Sequence, residues 1–250
     1  MPHLLAVASA TLMLSVAMPA MAIEEADKAE IEKIVRDYLL ANPEILTEMQ
    51  AAYERKQQEE RNALARRTIE ERGDDIFSSP LQTEVGNPQG DVTVVEFFDY
   101  NCPYCARSLA DMNELLRTDP NLRFVLKEVP IIRPESVGAH RVSLALYKLA
   151  PEKYAEFHNR LFAVPGVKTD RAALDVAREM GVDIDELTKL ANDESIGRAF
   201  TEGTELAEAL GISGTPSYVV GDEVVFGALG VGVLREKIAN MRECGKTICS

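Results

Sequence analysis

Residues 92–105 read VTVVEFFDYNCPYC, an apolar run that ends in two cysteines three positions apart. The run from Val92 to Phe98 has the length of a buried strand and is rich in β-branched and aromatic residues. After the cysteines, apolar residues recur at helical spacing as far as Leu116. Cys102 and Cys105 therefore straddle a junction between a strand and a helix, which is the layout of a dithiol–disulfide centre.

The spacing of the two cysteines suits redox chemistry. A cysteine reacts as the thiolate, which the unpaired N–H groups and the partial positive charge of a helix N-terminus stabilise. We expect Cys102 at the N-cap and Pro103 at the first helical position, where a missing N–H costs nothing. Because Cys105 follows about one turn later, its sulfur reaches that of Cys102. In the expected cycle Cys102, the exposed thiol, enters a mixed disulfide, and Cys105, further inside, resolves it.

Two other interpretations of this pair stay open. A zinc site needs a second pair of ligands, but Cys244 and Cys249 have the wrong spacing and no histidine near them. A purely structural disulfide is the other alternative, although so short a loop at a helix start is better suited to exchange. Cys244 and Cys249 are expected to pair with each other and to pin the chain end. We expect neither a metal nor a cofactor.

The amino end predicts export. Residues 4–18 are almost all apolar, and Ala20-Met21-Ala22 matches the small-residue pattern of a signal-peptide cleavage site. Residues 1–22 are therefore predicted to be a cleaved signal peptide, although residues 1–3 include no lysine or arginine. An uncleaved membrane anchor is the alternative. Four cysteines that form two pairs agree with an oxidising compartment, and we expect a periplasmic protein.

The charge balance argues against a nucleic-acid partner. The chain has 27 lysines and arginines against 41 aspartates and glutamates, a net charge of −14. Nucleic-acid binding depends on basic side chains that face phosphates, so this balance excludes it as the main function. A charge of this size mostly keeps a protein soluble and identifies no partner by itself.

Residues 23–79 read as an all-helical arm. A first helix is predicted near Glu24–Ala41, with an apolar stripe that includes Ile31, Val35 and Tyr38. Asn42-Pro43 ends it and begins a second helix, whose apolar stripe fades over residues 54–62. A helix that is polar all round is not held by a core of its own. We therefore favour an oligomerisation arm; a helix packed back on its own domain is the alternative.

Residues 80–250 predict an α/β domain. Strands at Val92–Phe98 and Leu122–Val129 flank the helix after Cys102, in the order of a right-handed βαβ unit. Residues from about 134 to 210 are almost wholly helical by pattern, with Asp170 as one N-cap. Two short strands, Ser217–Val220 and Val224–Phe226, and a helix near Val231–Met241 complete the chain. The order is a βαβ unit, a helical insertion and a ββα unit.

These features together resemble the thioredoxin superfamily. The segment EFFDYNCPYC at residues 96–105, the helical insertion, and Gly214-Thr215-Pro216 before the ββα unit are similar to its DsbA branch, over about residues 85–241. With the helical arm in front, the chain most resembles the ScsC type. That resemblance implies a thioredoxin-like fold with a helical insertion, and a trimer assembled through an N-terminal stalk.

The resemblance also implies roles for residues outside the cysteine pair. Thr215-Pro216 matches the cis-proline loop that faces the two cysteines and pairs with an extended substrate strand. Glu96 lies six residues before Cys102, on the interior side of its strand, where a buried carboxylate exchanges a proton with Cys105. A surface position for Glu96 is the alternative, and Lys127 is its candidate charge partner. Two lone histidines on predicted insert helices, His140 and His158, are interpreted as packing or surface residues.

The direction of catalysis follows from two positions and the arm. DsbA-type oxidases carry a histidine inside the pair and a valine before the cis-proline, whereas this chain has Tyr104 and Thr215. We therefore favour disulfide isomerase or reductase activity over oxidase activity. The expected partners are unfolded or misbridged secreted proteins and a membrane redox partner that recycles the dithiol. A non-catalytic copper carrier or holdase is the alternative from another class, since Cu(I) favours paired thiolates.

Overall fold

The computed structural model describes residues 25–249, so the predicted signal peptide at residues 1–22 lies outside the described residues. The elements in chain order are α1 (Glu25–Ala41), α2 (Glu44–Phe77), β1 (Thr83–Gly86), β2 (Val92–Phe98), α3 (Pro103–Thr118), β3 (Leu122–Glu128), α4 (Ser136–Leu149), α5 (Tyr154–Ala163), α6 (Asp170–Glu179), α7 (Ile184–Ala191), α8 (Glu194–Ala209), β4 (Ser217–Val220), β5 (Glu223–Phe226) and α9 (Val231–Cys244). Within residues 25–249, the helices fall short of the combined length and apolarity that crossing a bilayer requires.

A five-stranded sheet in the order β1-β3-β2-β4-β5 organises the fold. Strands β2 and β3 are parallel and joined by α3, as the predicted βαβ unit requires, while the other neighbours are antiparallel. This confirms the thioredoxin-like α/β fold with a helical insertion. Edge strand β1 was not predicted, because only Val85 of its four residues is a strongly β-forming apolar residue. The turn between β4 and β5 is one residue shorter than predicted, because Glu223 already belongs to β5. Gly221 is the first residue of the turn and has a φ of 52°, which glycine adopts readily.

Both faces of strand β2 are buried, as expected for the centre of a sheet covered by helices. Val94 and Phe98 face one core, which also contains Cys102 and Cys105 and most of the buried insert residues. Val95 and Phe97 face a second core. The two cysteines therefore follow the carboxyl end of a strand that is packed on both faces.

Helices α4 to α8 account for most of residues 136–209, as the sequence predicts, with short connections between them. One cap differs from the prediction. Thr169, not Asp170, is the N-cap of α6, because its side-chain oxygen accepts the Ala172 N–H at 3.1 Å. Asp170 is the first residue of the helix, where its charge favours the positive end of the helix dipole.

The described chain divides into two compact units at residues 55 and 56. In the first unit, α1 exposes a stripe of large apolar side chains that includes Ile34, Val35 and Tyr38. The second unit contains the rest of α2, whose Ala65 and Ile76 are buried in the core behind Phe97. The sequence-based boundary placed all of residues 23–79 in an arm. In the structure, apolar residues return to one face of α2 after residue 64 and join the core of the sheet, and the compact unit that contains the sheet begins at residue 56.

Candidate active site

The loop between β2 and α3 places Cys102 at the N-cap of α3, as predicted, with Pro103 at the start of the helix. The Cys102 N–H donates to the Asp99 carbonyl oxygen at 3.0 Å, which closes the turn after the strand. The Cys102 carbonyl oxygen accepts the Ala106 N–H at 3.1 Å, the first hydrogen bond of the helix. The Cys102 sulfur thus lies where the free N–H groups of a helix are concentrated.

Cys102 and Cys105 are free thiols with opposite acidities. A hydrogen bond from the Cys105 side chain lowers the pKa of Cys102 to about 5, assisted by the Thr215 side chain and by the backbone N–H groups of Cys105 and Tyr104. Burial, and then the Cys102 sulfur itself, raises the pKa of Cys105 far above its usual range. One sulfur is therefore held as a thiolate at neutral pH and the other as a thiol.

The expectation of an exposed Cys102 needs correction. Cys102 is only 2% exposed and Cys105 1% exposed. The Cys102 sulfur is covered by Thr215, whose carbonyl oxygen it approaches to 3.0 Å. Cys102 also lines a groove, together with Pro103.

The Thr215–Pro216 peptide bond is cis, as predicted, and faces the cysteine pair. The Thr215 hydroxyl oxygen is buried and has no hydrogen-bond partner in the described part of the chain. When Cys102 is a thiolate, this hydroxyl is available to donate to it, which contributes to the low pKa of Cys102. The Thr215 side chain therefore favours the thiolate form of Cys102, whereas the Thr215 carbonyl oxygen accepts a hydrogen bond from Cys102 only when the sulfur is protonated.

Glu96 is buried beneath the cysteine pair, on the interior side of β2, with 4% of its surface exposed. Its Oε1 lies 3.4 Å from both the Ser108 and the Tyr218 hydroxyl oxygens. Burial raises the pKa of Glu96 to about 8, against the lowering effect of these two hydrogen bonds. The charge of Glu96 in turn raises the pKa of Cys105. Glu96 is therefore close enough to influence the proton of Cys105.

Lys127 is not the charge partner of Glu96, and this hypothesis is wrong. In the parallel register Glu96 lies beside Leu126 and Phe97 beside Lys127, so the two charged residues are on opposite faces of the sheet. The Lys127 ammonium pairs instead with Glu202 at 3.0 Å. It also donates to the Asp75 carbonyl oxygen, near the end of α2. Lys127 thus ties α2 and α8 to the sheet.

A buried polar network lies behind the nucleophile loop, and the sequence analysis missed it. His140 is fully buried between two carboxylates, with Nδ1 hydrogen-bonded to Glu128 and Nε2 3.6 Å from Asp99. The Tyr100 backbone nitrogen lies 3.1 Å from the same Nε2, and the Tyr100 hydroxyl lies 2.9 Å from His158 Nδ1. The sequence held one signal for this network. Asp99 and Glu128 lie at the carboxyl ends of two neighbouring parallel strands, so their carboxylates come close together.

Cys244 and Cys249 are joined by a disulfide at the end of α9. Within the loop that they close, Thr247 donates its N–H and its hydroxyl to Asp222 in the β4–β5 turn, at 3.2 and 3.0 Å. Over the described residues, histidine, cysteine and acidic side chains form no cluster of three suited to a metal ion. The second cysteine pair therefore attaches the chain end to the sheet.

Two family models match the chain. Residues 93–239 match the DSBA-like thioredoxin domain, and residues 27–60 match the copper resistance protein ScsC N-terminal domain. A curated relative, the thiol:disulfide interchange protein DsbA of Bordetella pertussis, is 30% identical over 139 residues, which cover 53% of this chain and 64% of that protein. The chain thus spans less than two thirds of the length of the first curated relatives that it matches.

Solved structures agree with this match. A thioredoxin-like oxidoreductase from Silicibacter pomeroyi is 38% identical, with a TM-score of 0.65 over 68% of this chain and 98% of that one. Proteus mirabilis ScsC in a compact conformation is 26% identical, with a TM-score of 0.65 over 87% of this chain and 98% of that one. The predicted resemblance is confirmed: the chain belongs to the DSBA-like thioredoxin domain family and carries an N-terminal region of the ScsC type.

Proposed function

We propose that the chain is a thiol:disulfide oxidoreductase that exchanges disulfides in protein substrates through Cys102 and Cys105. The observation that carries this proposal is the position of Cys102 at the N-cap of α3, beside the cis Thr215–Pro216 bond and with Cys105 one turn further along the helix. The opposite displacement of the two sulfur pKa values supports it. The Cys102 thiolate attacks a substrate disulfide; one substrate sulfur bonds to Cys102 and the other leaves as a thiolate. Cys105 then loses its proton and attacks the Cys102 sulfur, which releases the second substrate thiolate and leaves the oxidised pair.

Isomerase or reductase activity is the favoured direction. A Cys102 that is ionised at neutral pH stays ready to attack a wrong disulfide, and the Thr215 hydroxyl supports that state. The same stabilisation of the reduced form makes the Cys102–Cys105 disulfide oxidising, so a DsbA-type oxidase is the alternative. The choice between them rests on the arm, since isomerisation gains from several active sites around one client.

The exposed stripe on α1 supports a homo-oligomer, and we propose a trimer. Ile34, Val35 and Tyr38 are 60, 51 and 61% exposed, although all are large apolar side chains. Such contiguous exposure usually marks a surface that another molecule covers, and residues 27–60 match the N-terminal domain of ScsC. We further propose that residues 1–22 direct export to the periplasm, that the arm covers residues 23–55, and that a membrane redox partner recycles the dithiol.

The refolding of a scrambled, wrongly bridged secreted protein tests this function. We expect the full chain to accelerate the recovery of native disulfides and Cys102→Ser to abolish the effect, because the serine hydroxyl is not ionised at neutral pH. Deletion of residues 23–55 should leave a monomer that still oxidises a dithiol peptide but shuffles disulfides poorly. This deletion spares the buried part of α2.

Three outcomes of the refolding experiment contradict parts of the proposal. No acceleration by the wild type, together with rapid peptide oxidation, favours the oxidase alternative. An unchanged mass in solution after the deletion removes the oligomer. Neither refolding nor oxidation, together with Cu(I) binding that Cys102→Ser abolishes, favours the copper carrier, which is the second candidate because residues 27–60 match a copper resistance protein.

Glu96→Gln should slow the attack of Cys105 on a mixed disulfide at Cys102 by roughly tenfold or more. The Cys105 thiol must lose its proton at this step, and a buried amide cannot accept it. In the wild type the rate should rise as pH passes about 8, because Glu96 accepts the proton only when it is ionised. The lifetime of a mixed disulfide between Cys102 and a small thiol, measured by rapid acid quench, reports this step.

A matched control for Glu96→Gln is Glu114→Gln on α3, since Glu114 is exposed and pairs with Arg235 on the surface. This variant should resolve the mixed disulfide at the wild-type rate. Equal rates and equal pH profiles for the wild type and Glu96→Gln would remove Glu96 from the proton transfer.

A further inference from the structure

Beside Cys102 the surface forms a groove of about 410 Å³, and two cations line it. Cys102 and Pro103 lie at one side, with Arg133 and Lys168 among the other lining residues. Arg133 belongs to the segment between β3 and α4, and Lys168 to the segment between α5 and α6. The groove therefore lies between the nucleophile and two loops that border the helical insertion.

The residues before Cys102 fix both loops in place. The Asn101 side-chain amide donates to the Lys168 carbonyl oxygen at 2.9 Å, and its oxygen accepts the Lys168 N–H at 2.8 Å. The buried Asp99 carboxylate accepts the Ile132 N–H at 2.8 Å and the Asn101 N–H at 2.7 Å. The main chain of Lys168 and the residue before Arg133 are thus tied to the two polar residues that lead into the nucleophile. The main chain that carries both cations is therefore fixed relative to Cys102.

Neither cation is neutralised. Arg133 is exposed and has no ion-pair partner among residues 25–249, and the Lys168 ammonium contacts only the Gly166 carbonyl oxygen, at 3.2 Å. The acids next along the chain, Glu135 and Asp170, do not line the groove. The chain has 41 acidic residues against 27 basic ones, so two unpaired cations beside the nucleophile stand out from its composition. The pKa of Cys102 is lowered chiefly by Cys105 and Thr215 and not by these two cations. Both cations are therefore available to a ligand.

We infer that this groove binds an acidic side chain of the substrate polypeptide close to the cysteine that Cys102 attacks. The inference rests on the proposed function and names a substrate class for the same site: disulfides flanked by aspartate or glutamate. The carboxylate takes no part in the sulfur chemistry. It adds attraction in the encounter and in the mixed disulfide, and salt screens both.

Matched disulfide peptides test the inference on the full chain. Each peptide has one internal disulfide and differs only in the residues two positions before and after one cysteine, which are glutamate, glutamine or lysine. The second-order rate constant for reduction of each peptide by the reduced protein is measured by stopped flow. At low salt we expect the glutamate peptide to react about fivefold faster than the lysine peptide, with the glutamine peptide between them. The ranking should disappear in about 1 M salt.

The double variant Arg133→Gln/Lys168→Gln should lose the ranking. Its loops should stay in place, because Asn101 contacts only the main chain of Lys168. The control Arg117→Gln/Lys189→Gln removes the same charge from exposed positions that do not line the groove, and should keep the ranking. Equal rates for the three peptides in the wild type, or a ranking that survives in the double variant, overturns the inference. Failure to reduce the glutamine peptide would instead overturn the proposed function.

Discussion

In the reduced protein, alkylation of Cys102 by iodoacetamide should follow a titration centred near pH 5, while Cys105 stays unreactive up to pH 9. At pH 7 almost all of Cys102 is then thiolate, against a few per cent of a cysteine with an ordinary pKa near 8.5. This difference is roughly thirtyfold in thiolate fraction. Mass spectrometry of the alkylated protein over a pH series measures it at each sulfur separately.

Two substitutions at one position test the cause of the low Cys102 pKa. The hydrogen bond from the Cys105 side chain is the largest contribution. Cys105→Ser keeps a donor at that position and Cys105→Ala removes it, so the Cys102 pKa should rise more in the alanine variant. Thr215→Val removes the other side-chain donor and should raise it as well. A Cys102 titration near pH 8.5 in the wild type would end the case for a stabilised thiolate.

The Cys102 pKa also predicts how the stability of the reduced form depends on pH. The folded-state pKa lies below the unfolded value, so the stabilisation is fully present above the unfolded pKa and is lost as pH falls through about 5. Between these limits the free energy of unfolding should rise with pH by up to about 1.4 kcal/mol per unit. Urea unfolding of the reduced and the oxidised protein at several pH values isolates the thiol contribution, because most other groups titrate in both forms.

The parts of the site that sequence analysis predicted are those that local patterns determine. The strand, the helix start and Pro103 place Cys102, and the parity of β2 places Glu96 inside. The cis bond before Pro216 was predicted only from the resemblance, since a Gly-Thr-Pro-Ser turn is compatible with either isomer.

Features that depend on contacts across the chain could not be predicted in this way. Thr215 buries the Cys102 sulfur, and the two residues are 113 positions apart in the sequence. Lys127 was assigned to Glu96 because their strands are neighbours, but the register puts them on opposite faces. His140 comes from the insertion and meets Asp99 and Glu128 only when α4 packs on the sheet. In each case the partner is chosen by packing, which a strand or helix pattern does not encode.

His140→Leu should lower the free energy of unfolding of the oxidised protein by about 3 kcal/mol or more. It leaves the buried Asp99 and Glu128 without the side chain that lies between them. The two carboxylates raise the pKa of His140 to about 9 against the opposing effect of burial. This stabilisation is fully present below the unfolded pKa near 6.5 and should be lost as pH rises through about 9.

His158→Leu is the matched control, because the same substitution is made at another buried histidine of the same network. Burial lowers the pKa of His158 to about 3, so this ring is neutral at pH 7. The Tyr100 hydroxyl that it contacts still has the Ser143 hydroxyl at 2.9 Å, so the loss should be about 1 kcal/mol. Urea unfolding of both variants and of the wild type, at pH 6 and pH 9, gives the comparison. If both variants cost the same and the wild type shows no loss at high pH, His140 is a packing residue and the carboxylates do not depend on its charge. A larger cost at His140 that shrinks at pH 9 means that the turn leading into Cys102 is held by a charged pair inside the fold.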